Sequence, residues 1–261
     1  MDRGNTILLT GAAGFIGSYL LGYLNKEGYN NIIIVDDFND EDKWFNFDEK
    51  NFSEKIEREE LFDWLRKTDP VVNAVFHLGA RTDTTEFDYS IHEKLNVAYS
   101  KEIWTYCAGK NIPLVYASSA ATYGGGEHGY KDDHEVVEKL QPLNPYGVSK
   151  NEFDKWALQQ ADHPPFWAGL KFFNVYGPNE YHKGEIMSLV AKRFDEAKGG
   201  KPVRLFKSHR EGVGDGLHHA EVVVDRGAED AQLPRSGFGG ILDLGAHGIA
   251  GGEVGRLPGI G

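Results

Sequence analysis

Residues 6–18 read Thr-Ile-Leu-Leu-Thr-Gly-Ala-Ala-Gly-Phe-Ile-Gly-Ser, and the fold follows from how this stretch is read. An apolar run from Thr6 to Leu9 enters three glycines, Gly11, Gly14 and Gly17, after which Leu20, Leu21 and Leu24 recur at helical spacing. The pattern is strand, tight turn, helix. Glycines at GxxGxxG spacing leave the turn without side chains. Backbone N–H groups and the helix N-terminus, where Phe15 and Ile16 stand, can then approach a pyrophosphate. A glycine triplet alone also describes an ordinary glycine-rich turn, and it is the strand before and the helix after that point to a dinucleotide.

Working outward, Asn31 to Val35 predicts a second strand that ends in Asp36-Asp37. Asp36 lies about twenty residues past the loop, where a carboxylate accepts from an adenosine ribose and favours NAD over NADP. Lys43 on the following loop is either a counter-charge for a 2′-phosphate or a solvated lysine among acids, and the chemistry alone leaves both open. Residues 39 to 69 are highly charged and read as a surface loop leading to a helix near Leu61 to Leu65. A third strand, Ala74 to Leu78, opens into Gly79-Ala80; Ser90 to Ala108 is a helix; Pro113 to Ala117 is a fourth strand. Strands alternating with helices predict an α/β Rossmann fold, a doubly wound parallel sheet with its ligand at the carboxyl ends of the strands.

The fourth strand runs into Ser118 and Ser119, hydroxyls that on their own would more often cap a helix or close a turn. Tyr146-Gly147-Val148-Ser149-Lys150 changes that reading, because YxxxK puts a phenol and an ammonium on one helix face, one turn apart. A free tyrosine has a pKa of about 10, and a neighbouring cation favours the phenolate. The spacing therefore predicts an acidified Tyr146 that takes a proton as hydride leaves the same carbon, with Lys150 acting electrostatically. Downstream, Lys171 to Pro178 is expected to be a strand ending in a turn, with Asn174 and Tyr176 toward the ligand. Lys183 in the loop beyond could carry a second proton or bind a diphosphate, or be an exposed cation. His182 is undecided, and His77, ending a strand, suits a hydrogen-bonded structural group.

Composition bounds the rest. A formal charge of -12 argues against nucleic-acid and anionic-membrane surfaces, which need clustered Lys and Arg. No run of about 18 apolar residues exists to cross a bilayer, so a cytoplasmic address is expected. The single cysteine, Cys107, sits in an apolar setting and reads as a core thiol. Scattered histidines and one cysteine show no metal-ligand spacing, and no GxSxG surrounds the serines.

The segments TGAAGFIGS, HLGARTDTTE, ASSAATYGGG, NPYGVSK, KFFNVYGP and YHKGEIMS resemble the extended short-chain dehydrogenase/reductase family, and within it the ADP-L-glycero-D-manno-heptose 6-epimerases. The resemblance covers roughly residues 6 to 213. The glycine loop and YxxxK are common to the whole superfamily; the other segments are the more specific ones. The resemblance implies a tightly bound NADP, with NAD as the alternative, an ADP-heptose substrate and a homo-oligomer. It also implies a role in making the heptose precursor of bacterial lipopolysaccharide core. Hydride would leave C6″ of the heptose and return to the opposite face, with Tyr146 and Lys183 as the two acid/base groups. Lys150 would support the tyrosine and the ribose, Ser118 and Ser119 would hold the reacting oxygen, and Lys43 would meet the 2′-phosphate. Asp36 and Asp37 would lie at the cofactor, Asn96 and Asn174 near cofactor and substrate, and His182 beside the substrate. A UDP-hexose 4-epimerase or a sugar dehydratase is the related alternative, with Ala120 and Ala121 standing where dehydratases carry an Asp-Glu pair.

The pattern breaks after Arg210. The family's Arg-Asp-Phe strand and Phe-Asn-x-Gly-Thr-Gly segment are missing: Ala220 stands at the expected Arg, and Ile241 to Gly245 only echo the second segment. The last 51 residues hold 14 of the 32 glycines, no lysine and one aromatic, Phe238, which is poor material for closing a core. The expected organisation is a cofactor domain over 1–175, a partial substrate lobe over 176–213 and an atypical Gly-rich tail over 214–261. That tail would arise from a disturbed or truncated reading frame, and a catalytically dead NADP-binding remnant is a further reading.

Overall fold

The computed structural model describes residues 1–199 and 247–251. The strands are β1 (Ile7–Thr10), β2 (Ile32–Asp36), β3 (Glu54–Glu57), β4 (Ala74–His77), β5 (Leu114–Ser119), β6 (Trp167–Phe172) and β7 (His247–Gly251). They form one sheet in the order β3-β2-β1-β4-β5-β6-β7. Strands β1 to β5 pair in parallel, with Thr10 opposite Val35 on one side and His77 on the other. Strand β7 runs antiparallel to β6. The central strands are mostly apolar because both faces of a parallel sheet are covered, and all of β1 and β4 is buried.

The helices are α1 (Phe15–Lys26), α2 (Leu61–Thr68), α3 (Tyr89–His92), α4 (Tyr99–Lys110), α5 (His134–Val137), α6 (Pro145–Leu158) and α7 (Leu189–Lys198), with a π turn at Glu93–Ala98 joining α3 to α4. Asn144 caps α6 by accepting from the Gly147 N–H at 2.7 Å, with Pro145 at the first helical position. Aromatic rings dock that helix: Phe153 meets Tyr116 of β5 at 4.9 Å between centroids, and Trp104 of α4 meets Trp167 of β6 at 4.9 Å. Cys107 is fully buried in this core, and burial raises its thiol pKa.

Two compact units divide the described residues, one holding residues 1–171 and 247–251, the other starting at Phe172. The sequence-based boundary fell at 175. Two further elements differ from the sequence reading. The charged stretch 39–69 contains β3, whose Glu-Lys-Ile-Glu buries only Ile56, the signature of an edge strand rather than of a core one. The strand expected from Lys171 onward is instead Trp167–Phe172; Trp167 and Leu170 turn into the core, and the chain leaves the sheet before Asn174. The tail expected over 214–261 lies outside the described residues except for β7.

His77 links β4 to its neighbours, with Nδ1 2.6 Å from Thr10 Oγ1 of β1 and Nε2 2.9 Å from Ser100 Oγ of α4. Burial, helped by the Lys150 charge, lowers its pKa from 6.5 to about 3. The folded chain thus holds it neutral while the unfolded chain protonates it, so its contribution is complete above pH 6.5 and drains as pH falls toward 3. Denaturant melts between pH 6.5 and 5, above the carboxylate range, should lose up to about 1.4 kcal/mol per pH unit from this group. A His77→Gln variant should flatten that slope; an unchanged slope would show that the acid loss arises elsewhere.

Candidate active site

The glycine turn sits where the strand order reverses, β2 leaving on one side of β1 and β4 on the other, the crevice in which open α/β sheets take ligands. Gly11 has φ +72°, and a Cβ there would lie 2.6 Å from the Gly79 nitrogen. At Gly17 a Cβ would lie 2.0 Å from the Gly11 carbonyl oxygen. Both positions therefore exclude any side chain. Gly14 differs: its Cβ would meet only the Gly11 oxygen, at 3.3 Å. It stands at the N-cap of α1 and makes no side-chain hydrogen bond there, and a helix N-terminus of this kind suits a pyrophosphate.

Asp36, at the end of β2, is tied to this turn: Oδ2 accepts from the Ala13 N–H at 2.9 Å and Oδ1 from the Asp37 N–H at 2.8 Å. Lys43 lies 3.5 Å from Asp36 and 3.5 Å from Asp40. A carboxylate and an ammonium thus stand together at the ribose end of the turn. Asp37, expected beside Asp36 at the cofactor, turns instead to Arg58 at 3.5 Å. Asn46 is a residue the sequence did not flag; buried in the charged stretch, it donates to the Ala13 carbonyl at 2.8 Å and holds the turn from the other side.

The second group lies at the carboxyl end of β5 and the start of α6. Strand alternation separates the two serines. The Ser119 hydroxyl is close enough to the Tyr146 phenol to lower its pKa, and it accepts from the Ala121 N–H at 3.1 Å. Ser118, expected to share the reacting oxygen, points the other way and donates to Asp154 at 2.7 Å, buried. The expected acidification of Tyr146 by Lys150 is not what the packing produces. Burial raises the phenol pKa, the Ser119 hydrogen bond lowers it and the Asp154 charge raises it. Lys150 aims its Nζ at the Ala117 carbonyl, 2.8 Å away, and burial lowers its own pKa to about 8, against the pull of Asp154. Burial dominates the phenol's shift, an effect that spacing along the chain cannot weigh.

Asn96, read as a cofactor contact, is fully buried with its amide engaged in the protein. Its Oδ1 accepts from the Arg81 N–H at 2.7 Å, and its Nδ2 donates to the Arg81 carbonyl at 3.0 Å and to Ser149 at 2.9 Å. It therefore positions the loop after β4. The π turn that carries it is a form found often at functional sites.

Asn174, Tyr176, His182 and Lys183 belong to the second unit. Asn174 is exposed and His182 Nδ1 lies 3.0 Å from the Asn179 carbonyl. Glu180, buried, organises that loop by accepting from the Gly177 N–H at 3.1 Å, the Ser188 N–H at 2.8 Å and the Ser188 hydroxyl at 2.9 Å. Burial lowers the Lys183 pKa and the Glu180 charge opposes it.

The model of the NAD dependent epimerase/dehydratase family matches residues 7–219, taking in the glycine turn, the Ser119–Tyr146 pair and Lys183. The chain belongs to that family. Among the relatives of this epimerase/dehydratase chain, an ADP-L-glycero-D-manno-heptose-6-epimerase of Fusobacterium nucleatum is 47% identical over 214 residues, 80% of this chain and 64% of its own length. One from Nitratidesulfovibrio vulgaris is 35% identical over 91% of this chain and 75% of its own. The crystal structure of the Helicobacter pylori ADP-L-glycero-D-manno-heptose-6-epimerase superposes with a TM-score of 0.65 and 28% identity, over 79% of this chain and 68% of that one. The chain thus spans just under two thirds of the Fusobacterium relative's length.

The two glycine environments separate folding from binding in this family member. Gly17→Ala, clashing with backbone, should destabilise the fold by roughly 1–3 kcal/mol and weaken dinucleotide binding with it. Gly14→Ala should keep the melting temperature near that of the parent and lose nucleotide affinity alone. Calorimetry paired with a dinucleotide titration reads both, and equal stability losses in the two variants would contradict the assignment.

Proposed function

We propose that this chain is an ADP-heptose 6-epimerase that inverts C6″ of ADP-D-glycero-D-manno-heptose, with NADP held on the glycine turn. The observation that carries the chemistry is the placement of Ser119 at the carboxyl end of β5 with Tyr146 at the start of α6, a hydroxyl that lowers the phenol's pKa and could share one substrate oxygen with it. The sugar is argued from the relatives, whose names specify this heptose.

Bound there, the nicotinamide supplies the hydride acceptor and then the hydride donor. Gly11, Gly14 and Gly17 would seat the pyrophosphate, and Asp36 with Lys43 the adenosine ribose. Tyr146 would take the proton of the 6″-hydroxyl, with Ser119 holding that oxygen in line. The Lys150 ammonium would stabilise the phenolate and reach the ribose. Its depressed pKa, about 8, still leaves it mostly charged at neutral pH. Lys183 would be the second acid/base group, and its lowered pKa suits a group that must both give and take a proton.

Incubating the purified protein with ADP-D-glycero-D-manno-heptose should yield the C6″ epimer, and Tyr146→Phe should cut that turnover by about a hundredfold or more. An active protein indifferent to Tyr146→Phe would overturn the mechanism. Turnover of UDP-hexoses alone would move the substrate to the 4-epimerase class, and NADP binding with no turnover of any sugar would identify a binding remnant.

The choice of NADP rests on Lys43, while Asp36 supports NAD. Lys43→Gln should weaken NADP about tenfold, a loss of about 1.4 kcal/mol, and leave NAD nearly unchanged. Equal effects on the two dinucleotides would remove the argument for the phosphate.

A further inference from the structure

Beneath Ser119 and Tyr146 lies a charged network that the proposed chemistry does not use. Asp154 and Lys171 are both buried, at 0% and 2% exposure, with Lys171 Nζ 2.6 Å from Asp154 Oδ2. The carboxylate also accepts from Ser118 Oγ at 2.7 Å and from the Tyr116 hydroxyl at 3.0 Å. Lys171 makes a second bond, 2.8 Å to Thr122 Oγ1, and Thr122 donates to the Ser119 carbonyl at 2.7 Å. Gly169 of β6 makes room for the arrangement: a Cβ there would lie 2.3 Å from the Tyr116 ring.

The connectivity is more informative than the charges. A buried ion pair is weak evidence of stability, since desolvation offsets most of the attraction and apolar replacements often do as well. What such a pair does supply is a fixed geometry. Asp154 stands on α6 two turns after Tyr146 and one after Lys150, on the same face. Its three donors come from β5 and β6. Through Lys171 and Thr122 the network reaches the backbone of Ser119 itself. One cluster therefore holds both the strand that bears Ser119 and the helix that bears Tyr146.

We propose that Asp154, Lys171 and Thr122 are positioning residues for the reaction, setting the separation of Ser119 on β5 from Tyr146 on α6. The proposal rests on the reading that Ser119 and Tyr146 handle the proton. Misplacement of a reacting group by about 1 Å can cost a hundredfold in rate, so a cluster of this kind affects kcat without touching the substrate.

Thr122→Val is close in shape to the native residue, changes no charge and cuts the link to Ser119. It should lower kcat on the order of tenfold to a hundredfold with KM within about twofold, and Thr122→Ser should restore the rate. A second readout needs no substrate: the alkaline titration of Tyr146, taken as the ultraviolet difference between each protein and its Tyr146→Phe counterpart. Since the Ser119 hydrogen bond lowers the phenol pKa, loosening it should move this titration to higher pH. Ser118→Ala, a smaller change on the carboxylate side, should move both readouts in the same direction if Thr122→Val does not fold. A folded variant of either kind with unchanged kcat and unchanged Tyr146 titration would overturn the proposal. If the native protein turns over no ADP-heptose, the epimerase reading falls while the titration still decides the positioning claim.

Discussion

The approach of Gly17 to the Gly11 carbonyl, and of Gly11 to the backbone of Gly79, is the constraint on which the cofactor half of the molecule is built. Side chains at either position would push α1 away from β1 or β1 away from the loop after β4. Because both contacts are with backbone, no rotamer change relieves them. The turn is then held in place from two further directions, by the Asp36 carboxylate on the Ala13 N–H and by the Asn46 amide on the Ala13 carbonyl. Gly14 is less crowded, its Cβ position 3.3 Å from the Gly11 oxygen, and it stands at the N-terminus of α1. That arrangement makes one face of the turn suited to a phosphate.

Much of this was legible in the sequence because it is local. Strand, turn and helix signals around residues 6–26 fall within a single window, and the YxxxK spacing places Tyr146 and Lys150 on one face without any knowledge of the rest. The reading failed where the answer depends on partners far along the chain. Nothing near Ser118 announces that its hydroxyl belongs to Asp154, and nothing near Asn96 announces that the Arg81 backbone takes its amide. The phenol shows the same limit in energetic form. Sequence supplies the adjacent ammonium but not the packing that desolvates both groups, and burial is the largest cause of each group's shift. Asp154, at the next turn after YxxxK, was within reach of the same helical arithmetic; only its partner Lys171 required the fold.

Fold and chemistry meet at β5. Its residues alternate between a buried side, where Tyr116 and Ser118 bond to Asp154, and the site side, where Ser119 meets Tyr146. Adjacent serines are therefore placed differently: one ties the strand to α6, the other lies on the side of Tyr146. Membership of the epimerase/dehydratase family accounts for the shared frame. The second unit, with Glu180 ordering the loop that bears His182 and Lys183, is a separate construction that organises its own polar groups.

The buried Cys107 has a practical corollary. It is the sole thiol of the chain, enclosed between α4 and its neighbours and held in its unreactive protonated form. Alkylating reagents will find it only when this part of the interior opens, so the rate at which it is labelled is a native gauge of the rarest fluctuations of the core. The chain carries its own reporter of breathing, with no engineered probe needed and no second thiol to confuse the signal.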